Sequence, residues 1–306
     1  MTTNAIQSSH IYSTYFAPRG RSRIYTLGMQ IAQLSPFDQI IGFIGEAGSG
    51  KSVLIKGMFP GIELTNDDDG VNVRPLPLLE QEYETGFFTP HTYHLDIRFE
   101  TGFHQLSELA DAVRLAVRRG KRIIIEHFDL IYPLLGVNAN LLIGVGEQIV
   151  ITRPNLFGPL PQDLCDIVYP SLAYRLMAHS AEDLCEYAMT QEQMLACSHG
   201  DIRHGFVLEF NEHQPDIDIP ALEARVNELI RADLPIDYYD ESHILLGGVQ
   251  HYCTGPRTHV RSTGRIIGFR LLDHFIYDHF HKTYMLVGCV GDDSEENIRK
   301  LEKIHG

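Results

Sequence analysis

Through the first 155 residues, short apolar runs alternate with stretches of helical periodicity. Residues 39–44 (Gln-Ile-Ile-Gly-Phe-Ile) are apolar at nearly every position, and a glycine-rich segment separates them from a helix-compatible stretch. Residues 92–99 alternate instead. Thr92, His94, Asp96 and Arg98 fall on one face and Tyr93, Leu95, Ile97 and Phe99 on the other, which predicts a half-buried strand. Leu106, Leu109, Ala110, Val113, Ala116 and Val117 recur at helical spacing, and Gly120 supplies a stop. Residues 121–126 read as a buried strand ending in an acid, Glu126, and 141–151 form a further apolar run. Strand and helix alternating in this way predict an α/β fold with a mostly parallel sheet covered on both faces.

The texture changes after Pro154. Pro154, Pro159, Pro161 and Pro170 interrupt the chain and place a domain boundary near 155–175. Beyond it the pattern predicts a helix around 171–195, a strand at 206–210 and a helix from about 220 to 231. Asp218 can cap that last helix and Pro220 suits its first turn. Strands are expected around 243–250, 265–272 and 284–290, with a terminal helix from about Ser294. The expected organisation is an α/β domain over 1–160, with 1–35 as an N-terminal extension, followed by an α+β domain over 171–306.

Composition excludes some classes without naming one. Apolar residues make up 44% and charged residues 21%, which rules out wholesale disorder and collagen-like architecture. With 25 basic and 40 acidic residues the net charge is −15, unfavourable for duplex DNA, where cationic charge supplies most of the affinity. One stretch runs against this balance. Residues 254–272 hold no acid but carry Arg257, Arg261, Arg265 and Arg270, an expected surface for a phosphate-bearing partner such as a tRNA acceptor end or a phosphorylated small molecule. Five cysteines at irregular spacing form no disulfide framework, no apolar run approaches the ~20 residues of a membrane span, and the N-terminus lacks a secretory apolar core. The expectation is a cytoplasmic protein with no membrane partner.

The sharpest motif follows the first apolar run. Gly45-Glu46-Ala47-Gly48-Ser49-Gly50-Lys51-Ser52 fits G-x-x-x-x-G-K-[ST]. Glycines at this spacing let backbone N–H groups converge on phosphates, Lys51 reaches the β/γ oxygens, and the Ser52 hydroxyl can ligate Mg²⁺. ATP or GTP with Mg²⁺ is therefore the expected cofactor. Glu126 is expected to join Ser52 in holding the Mg²⁺ shell, with Asp129 as the alternative. Asp67, Asp68 and Asp69 follow the segment after the loop's helix and are candidates for the acceptor side. With Ile123-Ile124-Ile125-Glu126 and this acidic run, residues 38–155 resemble the P-loop nucleoside and small-molecule kinases of the uridine-kinase-like type. That resemblance implies a P-loop NTPase domain in which Lys51, Glu126, Asp67 and Asp68 serve phosphoryl transfer or hydrolysis.

The second half carries a different resemblance. Residues 226–236 (Val-Asn-Glu-Leu-Ile-Arg-Ala-Asp-Leu-Pro-Ile), 258–266 (Thr-His-Val-Arg-Ser-Thr-Gly-Arg-Ile) and the preceding 202–210 are similar, in order, to segments of the alanyl-tRNA synthetase editing-domain family. That family holds a metal with H-x-x-x-H and C-x-x-x-H. Here His179 and His259 match, Asp183 stands in place of the second His, and Gly255 stands where the Cys belongs, with Cys253 two residues upstream. The resemblance thus implies a Zn²⁺ site of His179, Asp183, Cys253 and His259. Three readings stay open. One is a kinase-like phosphotransferase or ATPase whose C-terminal domain selects substrate. The others are a metal-dependent aminoacyl-tRNA deacylase with a regulatory ATPase domain, and an ATP-switched tRNA-binding module.

Overall fold

Apolar runs too short for helices become the strands of a six-stranded sheet. The computed structural model describes residues 13–33, 37–62, 64, 91–211 and 213–305. Chain contacts divide it into two units, Met1–Ala17 with Arg21–Pro170, and Pro18–Gly20 with Ser171–Gly306. Asp67, Asp68 and Asp69 lie outside the described residues.

The first unit contains β1 (Ser13–Phe16), α1 (Arg21–Ala32), β2 (Ile40–Ile44), α2 (Lys51–Met58), β3 (Thr92–Asp96), α3 (Ile97–Glu100) and α4 (Leu106–Arg118). These are followed by β4 (Arg122–Glu126), α5 (Phe128–Leu135), β5 (Leu141–Val145), β6 (Gln148–Thr152) and the start of α6 (Pro161–Ala188). Strand order is β1-β6-β5-β2-β4-β3. Strands β3, β4, β2 and β5 run parallel, whereas β6 is antiparallel to both β5 and β1.

The expected mostly parallel sheet is therefore corrected to a mixed one. The apolar run 141–151 is two strands, because the chain reverses at Gly146–Glu147, where Gly146 N–H donates to the Gln148 carbonyl at 3.0 Å. A turn this short can only return the chain antiparallel. Part of the stretch read as an extension supplies the edge strand β1 and the helix α1.

Successive strand residues face opposite sides, so each side of the sheet has its own core. Ile40, Ile44, Ile123, Ile125 and Leu142 pack with Leu109, Val113, Phe128 and Leu164. Ile41, Phe43, Ile124, Leu141 and Ile143 pack with Ile24, Leu27, Leu54 and Ile55. Burial on both faces is why these strands read as continuous apolar runs. Glycines bring α1 against α2: a Cβ on Gly57 would fall 2.1 Å from the Tyr25 carbonyl oxygen, and one on Gly28 2.4 Å from that of Leu54.

In the second unit the rest of α6 is followed by α7 (Gln191–Ala196), β7 (Cys197–Ile202), β8 (Gly205–Asn211), α8 (Ile219–Arg231), β9 (Ile236–Asp240), β10 (His243–Leu246) and β11 (Val249–Tyr252). The chain ends with β12 (Arg270–Leu271), β13 (Ile276–Asp278), β14 (Thr283–Cys289) and α9 (Ser294–His305). An antiparallel sheet runs β12-β14-β8-β7 with β13 also on β14, and a second runs β11-β10-β9.

The helix expected around 171–195 differs at both ends. It starts at Pro161, passes through Pro170 and stops at Ala188. The separate α7 is capped by Thr190, whose hydroxyl accepts from the Gln193 N–H at 3.3 Å. Asp218 caps α8 through the Ala221 N–H at 3.0 Å. Among the described residues no helix is long and apolar enough to cross a membrane.

Candidate functional site

Parallel pairing aligns the carboxyl ends of three strands. Phe43 pairs with Glu126 and Asp96 pairs with Glu126, so the acids end β3 and β4 beside the loop that leaves β2. In open α/β sheets this edge is where ligands bind. The loop departs at Gly45, where a Cβ would lie 2.5 Å from the Val145 carbonyl oxygen. Ala47 and Gly48 form its exposed crest, Glu46 and Gly50 are half-buried, and Ser49 is buried. Gly50 takes a φ of 96°, a left-handed conformation suited to glycine, and α2 begins at Lys51.

Lys51 and Ser52 both turn toward Glu126. The Lys51 Nζ donates to the carbonyls of Gly45 (3.0 Å) and Glu46 (2.9 Å) and stands 3.6 Å from Glu126 Oε2. Ser52 Oγ donates to Glu126 Oε1 at 3.1 Å, and His94 Nε2 is 3.1 Å from the same oxygen. Burial works to raise the Glu126 carboxyl, but His94, Lys51 and Ser52 together hold it down to about 2. It is an ionised acid in a dry setting.

Two further side chains complete this edge. Asp96 is buried and its Oδ1 accepts the Phe99 N–H at 3.2 Å, ending β3 by capping α3. His127 is buried with a φ of 56°, and its Nδ1 has no hydrogen-bond partner among the described residues. Burial, with the charges of Lys51 and Arg98, pushes the His127 imidazole down to about 4. Ligand atoms of Asp96, Glu126 and His127 all lie within 4.8 Å of one another. Oxygen donors from Ser52, Glu126 and Asp96 are the chemistry Mg²⁺ prefers. Asp129 lies apart from this trio: burial raises its carboxyl, and its Oδ2 accepts from the Tyr169 hydroxyl at 3.4 Å.

A second polar cluster occupies the other unit. His179, Glu182, Asp183 and Glu186 recur at i, i+3, i+4 and i+7, so they share one face of α6, and all are buried. Arg19 enters this row. Its guanidinium pairs with Glu182, donates to Asp183 Oδ1 at 2.9 Å and to the His179 carbonyl at 3.0 Å. Asp183 Oδ2 meets His259 Nε2 at 2.6 Å, and Cys253 Sγ is 3.6 Å from that nitrogen. The Val260 N–H donates to Ser180 Oγ at 3.0 Å, which ties the 258–260 loop to α6.

Three of the four residues expected to hold Zn²⁺ therefore come together. Ligand atoms of Asp183, Cys253 and His259 lie within 4.8 Å of one another. His179 does not join them, since its Nε2 faces Asp201 at 3.6 Å. Burial and Arg19 push the His179 imidazole down to about 3. Arg19 already supplies the cation that balances Asp183. The quartet does not fit a tetrahedral zinc set.

The arginines of 254–272 also separate. Arg257 lies over the Tyr238 ring (4.5 Å to its centroid) and pairs with Glu241 at 3.3 Å. Arg270 bridges Glu223 and Glu295. Arg261 and Arg265 are exposed and form no ion pair among the described residues.

Comparison of the chain with protein-family models and with curated proteins finds no match to either.

His94, Asp96, His127 and Arg19 are members of the two candidate clusters that sequence patterning passes over. His94 and Asp96 had a signal: polar residues at alternate positions of a strand inside a sheet covered on both faces are buried, not solvated. Arg19 had none, because it sits in a turn far along the chain from α6.

Proposed function

We propose that the first unit binds a nucleoside triphosphate with Mg²⁺ at residues 45–52 and catalyses phosphoryl transfer. The observation that carries this reading is the Ser52–Glu126 contact of 3.1 Å, which joins the motif's hydroxyl to a buried, ionised acid on the neighbouring strand. Bound Mg²⁺ would neutralise phosphate charge as it develops. Ser52 and Glu126 would hold it. Lys51, which donates to the Gly45 and Glu46 carbonyls, would exchange those bonds for phosphate oxygens. Asp96, at the same edge, would take the proton of an attacking hydroxyl or water. Arg98, bonded to Glu46 at 3.2 Å, is a further cation beside the loop.

The second unit, by its resemblance to editing domains, is read as the module that recognises the acceptor. The exposed Arg261 and Arg265 suit a phosphate-bearing molecule such as a tRNA end. The deacylase reading loses support from Arg19, which bonds Asp183, and from His179, which turns to Asp201. ADP and GDP formation from the Mg²⁺ nucleotides tests the proposal. Glu126→Gln should keep nucleotide affinity and slow turnover by ~10²-fold or more. Undiminished turnover in that variant would remove Glu126 from the chemistry, and no binding of either Mg²⁺ nucleotide by the wild type would refute the proposal.

A further inference from the structure

Cys197 and His199 are two residues apart at the start of β7, so both leave the strand on one face, while Ser198 between them is exposed. Opposite them stands Glu186, buried in the last turn of α6. His199 Nε2 is 2.5 Å from Glu186 Oε1, and Cys197 Sγ is 3.5 Å from the same oxygen. The three ligand atoms all lie within 4.8 Å of one another. A second imidazole faces the same carboxylate. His251 on β11 is buried between exposed Gln250 and Tyr252, and its ring meets Tyr187 edge-on. Its Nε2 has no hydrogen-bond partner among the described residues. One of its ring nitrogens lies within 4.8 Å of carboxylate oxygens of Glu186 and Asp183.

We propose that Glu186, Cys197 and His199 bind a zinc ion, at a place separate from the Asp183–Cys253–His259 group. One sulfur, one imidazole nitrogen and one carboxylate oxygen make a borderline-soft donor set, which suits Zn²⁺ and not Mg²⁺ or Ca²⁺. The charges balance. Metal binding expels the Cys197 thiol proton to solvent, and thiolate plus carboxylate then neutralise the dication, leaving His199 neutral.

The difference from the neighbouring group is the resident cation. Asp183 has the Arg19 guanidinium, whereas among the described residues Glu186 is ion-paired with His199 and with no arginine or lysine. Three protein ligands leave one tetrahedral position, open to water or to a rotated His251. The site needs no nucleotide and is tested without one.

The test uses the full chain, stripped with a chelator and titrated with Zn²⁺ against a chromophoric competitor. One Zn²⁺ should bind per chain. Cys197→Ser and His199→Ala should each weaken it by at least the ~10–100-fold that even outer-shell changes produce. With Co²⁺ instead, thiolate-to-cobalt charge-transfer absorption should vanish in Cys197→Ser and persist in Cys253→Ser. In the wild-type chain, where no variant has to fold, Zn²⁺ should protect Cys197 from alkylation as mapped by mass spectrometry. No Zn²⁺ binding by the wild type, a cobalt band lost with Cys253→Ser instead, or an unprotected Cys197 would each overturn the proposal.

Discussion

The Arg19 guanidinium lies 2.9 Å from the Asp183 carboxylate, and these side chains are only 2% and 3% exposed. Residues 164 positions apart in sequence thus form a buried ion pair within one unit. Burial alone would raise the Asp183 carboxyl, but Arg19 and His259 hold it well below the usual carboxylate range. A charge this deep persists only when paired. Arg19 is the partner, and it also binds Glu182.

Arg19→Met should therefore leave Glu182 and Asp183 without their cation and destabilise the protein by ~3–5 kcal/mol, the usual result of breaking a buried pair from one side. Urea unfolding followed by far-UV circular dichroism measures it. A midpoint equal to that of the wild type would mean the pair contributes nothing to folding.

Ser52→Ala should weaken nucleotide binding by ~10-fold when Mg²⁺ is present, in line with losing one hydrogen bond to a charged partner. In excess chelator the variant and the wild type should bind alike. An equal loss in both conditions would place the hydroxyl away from the metal.

His127 links folding to pH. Its folded value is about 4 against 6.5 unperturbed, through burial and the nearby Lys51 and Arg98. Between these values the unfolded chain takes up a proton that the folded chain refuses, so this contribution is present above about 6.5 and is lost as pH falls toward about 4. His127→Asn keeps a residue that tolerates the left-handed backbone and removes the titration. Its melting temperature should fall less steeply than the wild type's over that window. Parallel curves would show that His127 does not titrate there.

Much of the first unit was legible in sequence because its strands are buried on both faces and its helices on one. Runs such as Ile123-Ile124-Ile125 and the periodicity of Leu109, Val113 and Ala116 report those environments directly. The reversal at Gly146–Glu147 was not legible, since two strands of a hairpin and one long strand have the same apolar pattern. The glycine-rich loop of residues 45–52 was found by spacing, which is local. His94 and Asp96 were seen as one face of a strand, but reading that face as solvated hid their burial beside Glu126. The α6 row (His179, Glu182, Asp183, Glu186) has helical spacing, yet nothing in the pattern says that Arg19 pairs with Glu182 and Asp183 within it. Contacts between distant turns leave no periodic trace.

The central claim is that residues 45–52 form a Mg²⁺-dependent nucleotide site, and calorimetric titration of the full chain with ATP and GTP tests it most directly. The wild type should bind at least one of them in Mg²⁺, and Lys51→Ala should reduce that affinity by ~10²-fold or more while leaving the fold intact. If Lys51 faces the nucleotide's phosphates, removing its ammonium deletes at least two charge-assisted hydrogen bonds of ~1.5–3 kcal/mol each. No binding by the wild type, or equal binding by wild type and Lys51→Ala, would contradict the account.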